Sequence, residues 1–481
     1  MNALTKILAG PPVAAAVVAV AAVVAAALLV VPASAQEAPP AGGEPKDFAL
    51  PDVERFALDN GLKATLIPFG TVPKTTITIV VRAGNLNEGT DTWLADLTGE
   101  MLKQGTATRG ATDIALEAAR MGGGLDISVA PDSTEIGIDV LSEFGPDAIA
   151  LMADVLTAAS LPEAELPRVR RDFQRTLSVA LTQPRAQASA EFARLIYGDH
   201  PYGRAFPADE QLAGYTIDDV RGFYQSQYGA ARTHVYVAGR FDHAAITQAL
   251  TTAFGDWQRG PEPASLPAQP SSRLRVTLVD RPDAPQSTIY LGLPVVDPTS
   301  DDFLALQVTN TLLGGFFSSR ITANIREDKG YTYSPRSRVT SRYRASHWVQ
   351  VADVTTEATG PALKEIFYEI DRLQADPPGE AELDGVKNYS TGIFVLGAAS
   401  RGGLIGQFAY LDLHGLPMER LTNYVANVQA LNTDRITDMA RTYLRDEDMT
   451  LVVVGDLAKV SDQLKELPQL APVEFVVAGA Q

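Results

Sequence analysis

Residues 216–241, TIDDVRGFYQSQYGAARTHVYVAGRF, and residues 432–457, NTDRITDMARTYLRDEDMTLVVVGDL, decide the fold, because they align without a gap as two copies of one pattern. Each copy opens on a helix N-cap candidate: Thr216 with Asp219 three residues on, and Asn432 or Thr433 leading into Asp434. Each continues as an amphipathic helix and ends in a short apolar run, His234–Ala238 or Thr450–Val454, followed by Gly239 or Gly455. That length and β-branched content predict a buried strand. A repeat of this kind means two copies of one structural unit in the chain.

The starts of the two units correspond as well. Ala64–Ile67 followed by Thr75–Val81 has the rhythm of Thr277–Val279 followed by Ser287–Leu293, with a turn containing Pro73 or Pro285 between the strands. Long helical segments follow near Thr92–Lys103 and Asp301–Arg326. Strands first, helices next and strands again predict a clamshell-forming α+β fold of two homologous halves, each with helices packed on a largely antiparallel sheet, the chain making up half of the clamshell. Between them lies Arg259–Ser271, whose four prolines cannot hold regular hydrogen-bonded structure. The expected organisation is an export signal over 1–35, a disordered linker over 36–50, one α+β domain over 51–258, a Pro-rich linker over 259–272 and a second α+β domain over 273–481.

Hydrophobic residues make up 46% of the chain and charged residues 20%, ample material for large cores. A net charge of −18 argues against nucleic-acid partners, since nothing would neutralise phosphates. The chain has no cysteine, which excludes disulfides, thiolate metal sites and cysteine nucleophiles. Lys6, the apolar run Pro11–Val31 and the small-x-small triplet Ala33-Ser34-Ala35 read as an export signal cleaved before Gln36. A retained membrane anchor is the alternative, because the run is long enough to span a bilayer. Cleavage predicts a periplasmic protein with no stable membrane association.

Several stretches then point in one direction. Phe56–Leu62 (FALDNGL), Ala83–Glu88 (AGNLNE), Gly198–Gly203 (GDHPYG), Leu312–Gly315 (LLGG), Ser318–Arg320 (SSR) and Arg326–Ser334 (REDKGYTYS) occur in this order. Together they resemble the pitrilysin/insulysin-type inverted-zinc-motif metallopeptidase family over nearly the whole exported chain. In that family a first-half helix carries His-x-x-Glu-His, whose imidazoles bind zinc while the Glu is the general base. Trp93–Thr106 (WLADLTGEMLKQGT) keeps the frame and loses the chemistry. Asp96 stands at the first His, Gly99 at the Glu and Glu100 at the second His, and no Glu occurs between Glu165 and Glu191, where a third ligand is expected. Asp96 and Glu100 are expected to be exposed helix carboxylates. His200, His234, His243, His347 and His414 form no pair at helical ligand spacing.

The second half keeps what the first has lost. The resemblance carries the family's substrate-gripping arginine onto Arg326 and its oxyanion-donating tyrosine onto Tyr333, which acts on a substrate held by another chain. Without the resemblance, Arg326 is a helix-end residue and Tyr333 a half-buried strand residue. What the resemblance implies is the non-metal subunit of a two-chain peptidase. No cofactor is expected on this chain, and zinc is expected on a homologous partner subunit that shares peptide substrates with it. A catalytically silent peptide-binding or scaffold member of the same family is the alternative.

Overall fold

The computed structural model describes residues 49–478. The export segment and the 36–50 linker up to residue 48 therefore lie outside the described residues. The first half builds one six-stranded sheet from β1 (Glu54–Ala57), β2 (Lys63–Pro68), β3 (Lys74–Val81), β4 (Asp126–Val129), β5 (Thr134–Leu141) and β6 (Thr233–Gly239), in the order β1-β2-β6-β3-β5-β4. The second builds its own from β7 (Arg275–Asp280), β8 (Gln286–Val295), β9 (Arg336–Arg342), β10 (Ala345–Thr355), β11 (Thr450–Gly455) and β12 (Phe475–Val477), in the order β12-β7-β11-β8-β10-β9. The two orders match strand for strand except at one edge. The repeated strand runs parallel to its neighbour in both halves, β6 to β2 and β11 to β7. β12 also runs parallel to β7, and the remaining pairs are antiparallel. The α+β architecture of two homologous halves on largely antiparallel sheets is therefore the one observed.

The repeated stretches owe their form to capping and burial. Helix α4 (Ile217–Gln227) starts on a reciprocal cap, in which the Thr216 side chain accepts from the Asp219 backbone N–H and the Asp219 carboxylate accepts from the Thr216 N–H. Helix α8 (Thr433–Tyr443) is capped by Asn432, whose side-chain oxygen accepts from the Arg435 N–H at 2.9 Å. Each strand that follows is apolar without alternation because it is covered on both faces.

That double cover is reciprocal. Among the helices of the first half are α1 (Leu94–Leu102), α2 (Leu166–Thr182) and α3 (Pro184–Tyr197); their counterparts in the second are α5 (Phe303–Asn310), α6 (Glu380–Ala398) and α7 (Arg401–His414). One face of each sheet packs on helices of its own half. The other face receives a helix from the opposite half: α3 lies on β8 and β11, and α7 on β6 and β3. The first of these contacts is apolar, with Phe192 and Ile196 clustered against Tyr290, Val349 and Val452. The second is polar. Asp412 accepts from the Tyr236 hydroxyl at 2.7 Å and pairs with Arg55 at 2.9 Å, while Arg401 donates to Thr76 at 2.9 Å and reaches Asp139 at 3.1 Å.

Two local expectations need correction. The helix expected over 301–326 is interrupted: α5 passes into a wider turn over Thr311–Gly315, the chain extends at Phe316, and helix resumes at Arg320. Gly314 and Gly315 lie where the coil must come close to other atoms, a Gly314 Cβ falling 2.6 Å from the Ser337 hydroxyl. The strand expected at Tyr333 is also absent, as the chain there makes only an isolated bridge, Thr332 to Val354. Residues 259–274 carry no helix or strand.

Candidate functional site

Helix α1 carries Asp96, Gly99 and Glu100, the positions where the resemblance places the zinc motif, and its environment explains what each does. Glu88 anchors the start of the helix, accepting from the Trp93 N–H at 3.0 Å and the Ala95 N–H at 3.1 Å. Burial pushes its carboxyl up to about 7 against the lowering effect of these amide bonds. Asn85 ties the turn together, donating to Asp96 at 2.6 Å and to Glu88 at 3.3 Å. Asp96 is half-buried, and burial raises its pKa against the opposing Asn85 hydrogen bond. Gly99 is buried, and a Cβ there would lie 2.7 Å from the Val129 Cγ2 on β4. Glu100 pairs with Lys103 at 2.9 Å and accepts from Gln104 at 3.2 Å. The expectation of exposed carboxylates at Asp96 and Glu100 is thus corrected: α1 packs against β4 and α2, so both are half-buried and bonded to protein groups.

The second sequence-derived pair comes together in space. Gly330 takes a left-handed turn at φ +66°, and the Thr332 hydroxyl donates to the Asp353 carbonyl at 2.6 Å. Tyr331 packs into the core of the second half while Tyr333 points out, 78% exposed. The Arg326 guanidinium lies over the Phe317 ring at 4.4 Å and over the Tyr333 ring at 4.7 Å, with its Nε 2.9 Å from the Glu327 carboxylate. Two aromatic faces and one carboxylate restrict a long side chain, so the guanidinium is preorganised for a planar acceptor. Arg326 lines a cleft of about 460 Å³ bordered by Gly314, Gly315, Phe316 and Phe317.

Sequence reasoning missed two further arginines in this cleft, Arg185 and Arg336. Arg185 comes from the start of α3 in the opposite half, held by Asp353 at 2.6 Å. No local signal marks it, since only the exchange of helices between halves brings it there. Arg320, read as part of a signature, is structural: its guanidinium pairs with Glu382 of α6 through two 2.8 Å bonds and its side chain is 8% exposed. His234, His347 and His414 are structural too. Burial lowers their pKa values to about 4, 3 and 4. His347 bonds Tyr197 and His234 bonds Thr65, each at 2.8 Å.

The molecule is thus a two-lobed peptidase-type α+β protein whose motif helix lacks imidazoles and whose second lobe carries an aromatic-bound arginine beside an exposed tyrosine. The chain belongs to the peptidase M16 (insulinase) family: "Insulinase (Peptidase family M16)" matches residues 70–206 and "Peptidase M16 inactive domain" matches residues 214–390. A Streptomyces coelicolor protein described as an uncharacterized zinc protease is 25% identical over 418 residues, covering 84% of this chain and 90% of that one. The Bacillus subtilis uncharacterized zinc protease YmxG is 24% identical over 84% of this chain and 98% of its own. Among solved structures, a peptidase M16 inactive domain from Pseudomonas fluorescens superposes with a TM-score of 0.78 at 22% identity, covering 84% of this chain and 98% of its own. A protease from Helicobacter pylori superposes at 0.79 with 20% identity, over 85% of this chain and 100% of its own.

The family implies zinc, and the residues on α1 do not fit it. A catalytic zinc site needs three protein ligands with room for a fourth position. Here Asp96 and Glu100 are engaged by Asn85 and by Lys103 and Gln104, and the general-base position is a glycine facing Val129. Among the described residues no group of three His, Cys, Asp or Glu side chains is arranged to hold a metal ion.

Proposed function

We propose that this chain is the non-metal subunit of a heteromeric M16 peptidase, supplying Arg326 and Tyr333 to a peptide held at the zinc of a homologous partner. The observation that carries the reading is the Arg326–Tyr333 pair at the cleft: a guanidinium fixed over two rings beside a phenol that is 78% exposed. Arg326 grips a carbonyl or carboxylate oxygen of the substrate in the ground state. The Tyr333 hydroxyl donates to the substrate oxygen that gains charge as the peptide bond is attacked. The reading extends to an exported chain with its mature N-terminus at Gln36, working in the periplasm; intact-mass measurement of the exported protein tests that part.

The test of the catalytic part is kinetic. Complexes reconstituted with a zinc-bearing partner are assayed on one fluorogenic peptide. Tyr333→Phe lowers kcat by roughly 10²–10³-fold, the usual loss for one such donor, and moves KM little. Arg326→Ala weakens peptide binding as well. Equal kcat values for wild type and Tyr333→Phe, in complexes shown by gel filtration to be assembled, refute the catalytic role.

A further inference from the structure

Beside the cleft, between α5, α6 and α7, lies a second cavity of about 640 Å³. Its walls include Phe303, Leu304, Ile393, Phe394, Tyr410 and Leu411. Gly315 borders both spaces, and β9 contributes Arg336 to the cleft and Ser337, Arg338 and Val339 to the cavity. Phe316, which lines the cleft, touches Tyr389, which lines the cavity, with ring centroids 4.8 Å apart.

In the corresponding place of the first half, between α1 and α2, the space is smaller, about 160 Å³. Trp93 takes up room at the start of α1, its ring meeting Phe173 at 5.9 Å and Phe206 at 6.0 Å. The second half has Asp302 at the α5 boundary where the first has Trp93 before α1. The polar lining narrows the choice of occupant. The Ser390 hydroxyl and the Gln407 side-chain oxygen are buried with no hydrogen-bond partner among the described residues. A pure hydrocarbon would leave both unsatisfied, whereas an occupant with an N–H or O–H can donate to one of them.

We propose that this cavity is a specificity subsite for the peptide in the adjoining cleft, taking one bulky apolar side chain with a donor group, such as tryptophan. The proposal rests on the Arg326–Tyr333 cleft being a peptide site. An extended peptide fits the layout, because alternate side chains leave its backbone on opposite sides and one residue rises only about 3.3 Å.

The test is calorimetric titration of the full exported chain with blocked peptides that differ at one position, Trp against Ala. The Trp peptide binds roughly 10- to 100-fold tighter, the range set by burial of one large apolar side chain. Gly397→Leu fills the cavity and abolishes the preference, since a Cβ at Gly397 has only the Gln407 amide nitrogen near it, at 3.5 Å. Gly397→Ala retains it. Equal binding of the two peptides overturns the proposal, as does a preference that survives in folded Gly397→Leu. Dodecanoate binding lost in Gly397→Leu, with no advantage for Trp, overturns it in favour of an acyl pocket. If Gly397→Leu does not fold, N-acetyltryptophanamide must still displace the Trp peptide from wild type, and failure to do so also overturns it. Trp-over-Ala discrimination that persists beside a kcat insensitive to Tyr333→Phe removes the catalytic reading alone. Loss of discrimination beside a Tyr333-dependent kcat removes the subsite alone.

Discussion

Gly99→Ala tests the packing that closes the α1 position where the resemblance places the general base. The added Cβ would sit 2.7 Å from Val129 Cγ2 and 3.9 Å from Ile127 Cγ2. Carbon atoms pack best at about 3.5–4.0 Å, so the second contact is ordinary and the first is an overlap. Valine is stiff about χ1, so relief requires β4 to move. Overpacking of this kind costs about 1–3 kcal/mol, whereas alanine in place of glycine within a helix gains about 1 kcal/mol. The expected net effect is a loss of about 1 kcal/mol. In a Val129→Ala background the overlap disappears and only the helix gain remains, so Gly99→Ala becomes stabilising by about 1 kcal/mol. The coupling energy of the cycle is then about 2 kcal/mol, within the range for residues in contact. Guanidinium unfolding followed by tryptophan fluorescence reads it, with Trp93 immediately before α1 as a local reporter. An additive cycle, with Gly99→Ala stabilising both backgrounds equally, refutes the reasoning. If the cycle couples, a lone Gly99→Glu reversion does not restore a usable carboxylate, because the longer side chain starts from the same obstructed Cβ.

Three other outcomes follow from the same contacts. His234, His347 and His414 have lowered pKa values of about 4, 3 and 4, so the stability tied to their neutral forms is present above about pH 6.5 and is lost as pH falls through the folded values. Glu88 and Asp446, both raised to about 7, act the other way, contributing stability below the ordinary carboxylate range that is lost as pH rises through 7. Urea midpoints measured against pH should therefore peak near about pH 6–7, the window where the opposing groups balance, and Glu88→Gln should flatten the alkaline side; a midpoint that climbs steadily above pH 7 contradicts this. Asp412→Ala removes the acceptor of Tyr236 and Arg55 between the halves, so limited trypsin digestion should cut faster at Arg259 or Arg273 in the connecting segment, and an unchanged digestion rate argues against α7 as a clasp. The purified chain should carry no stoichiometric zinc and cleave no peptide alone, and elemental analysis finding about one tightly held zinc per chain with chelator-sensitive activity would reverse the account of α1.

By itself the sequence determined what depends on neighbours along the chain. Thr216 with Asp219 and Asn432 with Arg435 are caps made within three residues, and the apolar runs after them are strands by composition, so both halves and their class were legible. That the first-half helix carries no His-x-x-Glu-His was legible too, because ligands on one helix face are spaced by the helix itself. Only the tertiary structure decided what depends on packing between distant segments. It brought Arg185 from α3 into the cleft of the opposite half and half-buried Asp96 beneath Asn85. It buried His347 and His414 and half-buried His234, which spacing alone had left without partners. It also interrupted the 301–326 helix at Phe316 and turned Tyr333 out of a strand beside Arg326. The physical reason is range. Capping and periodicity act over one or two helical turns, whereas desolvation, cavity shape and the meeting of side chains across a cleft depend on how separate segments pack, as with Arg185 and Asp353, 168 positions apart, and a single chain read in order carries no local mark of them.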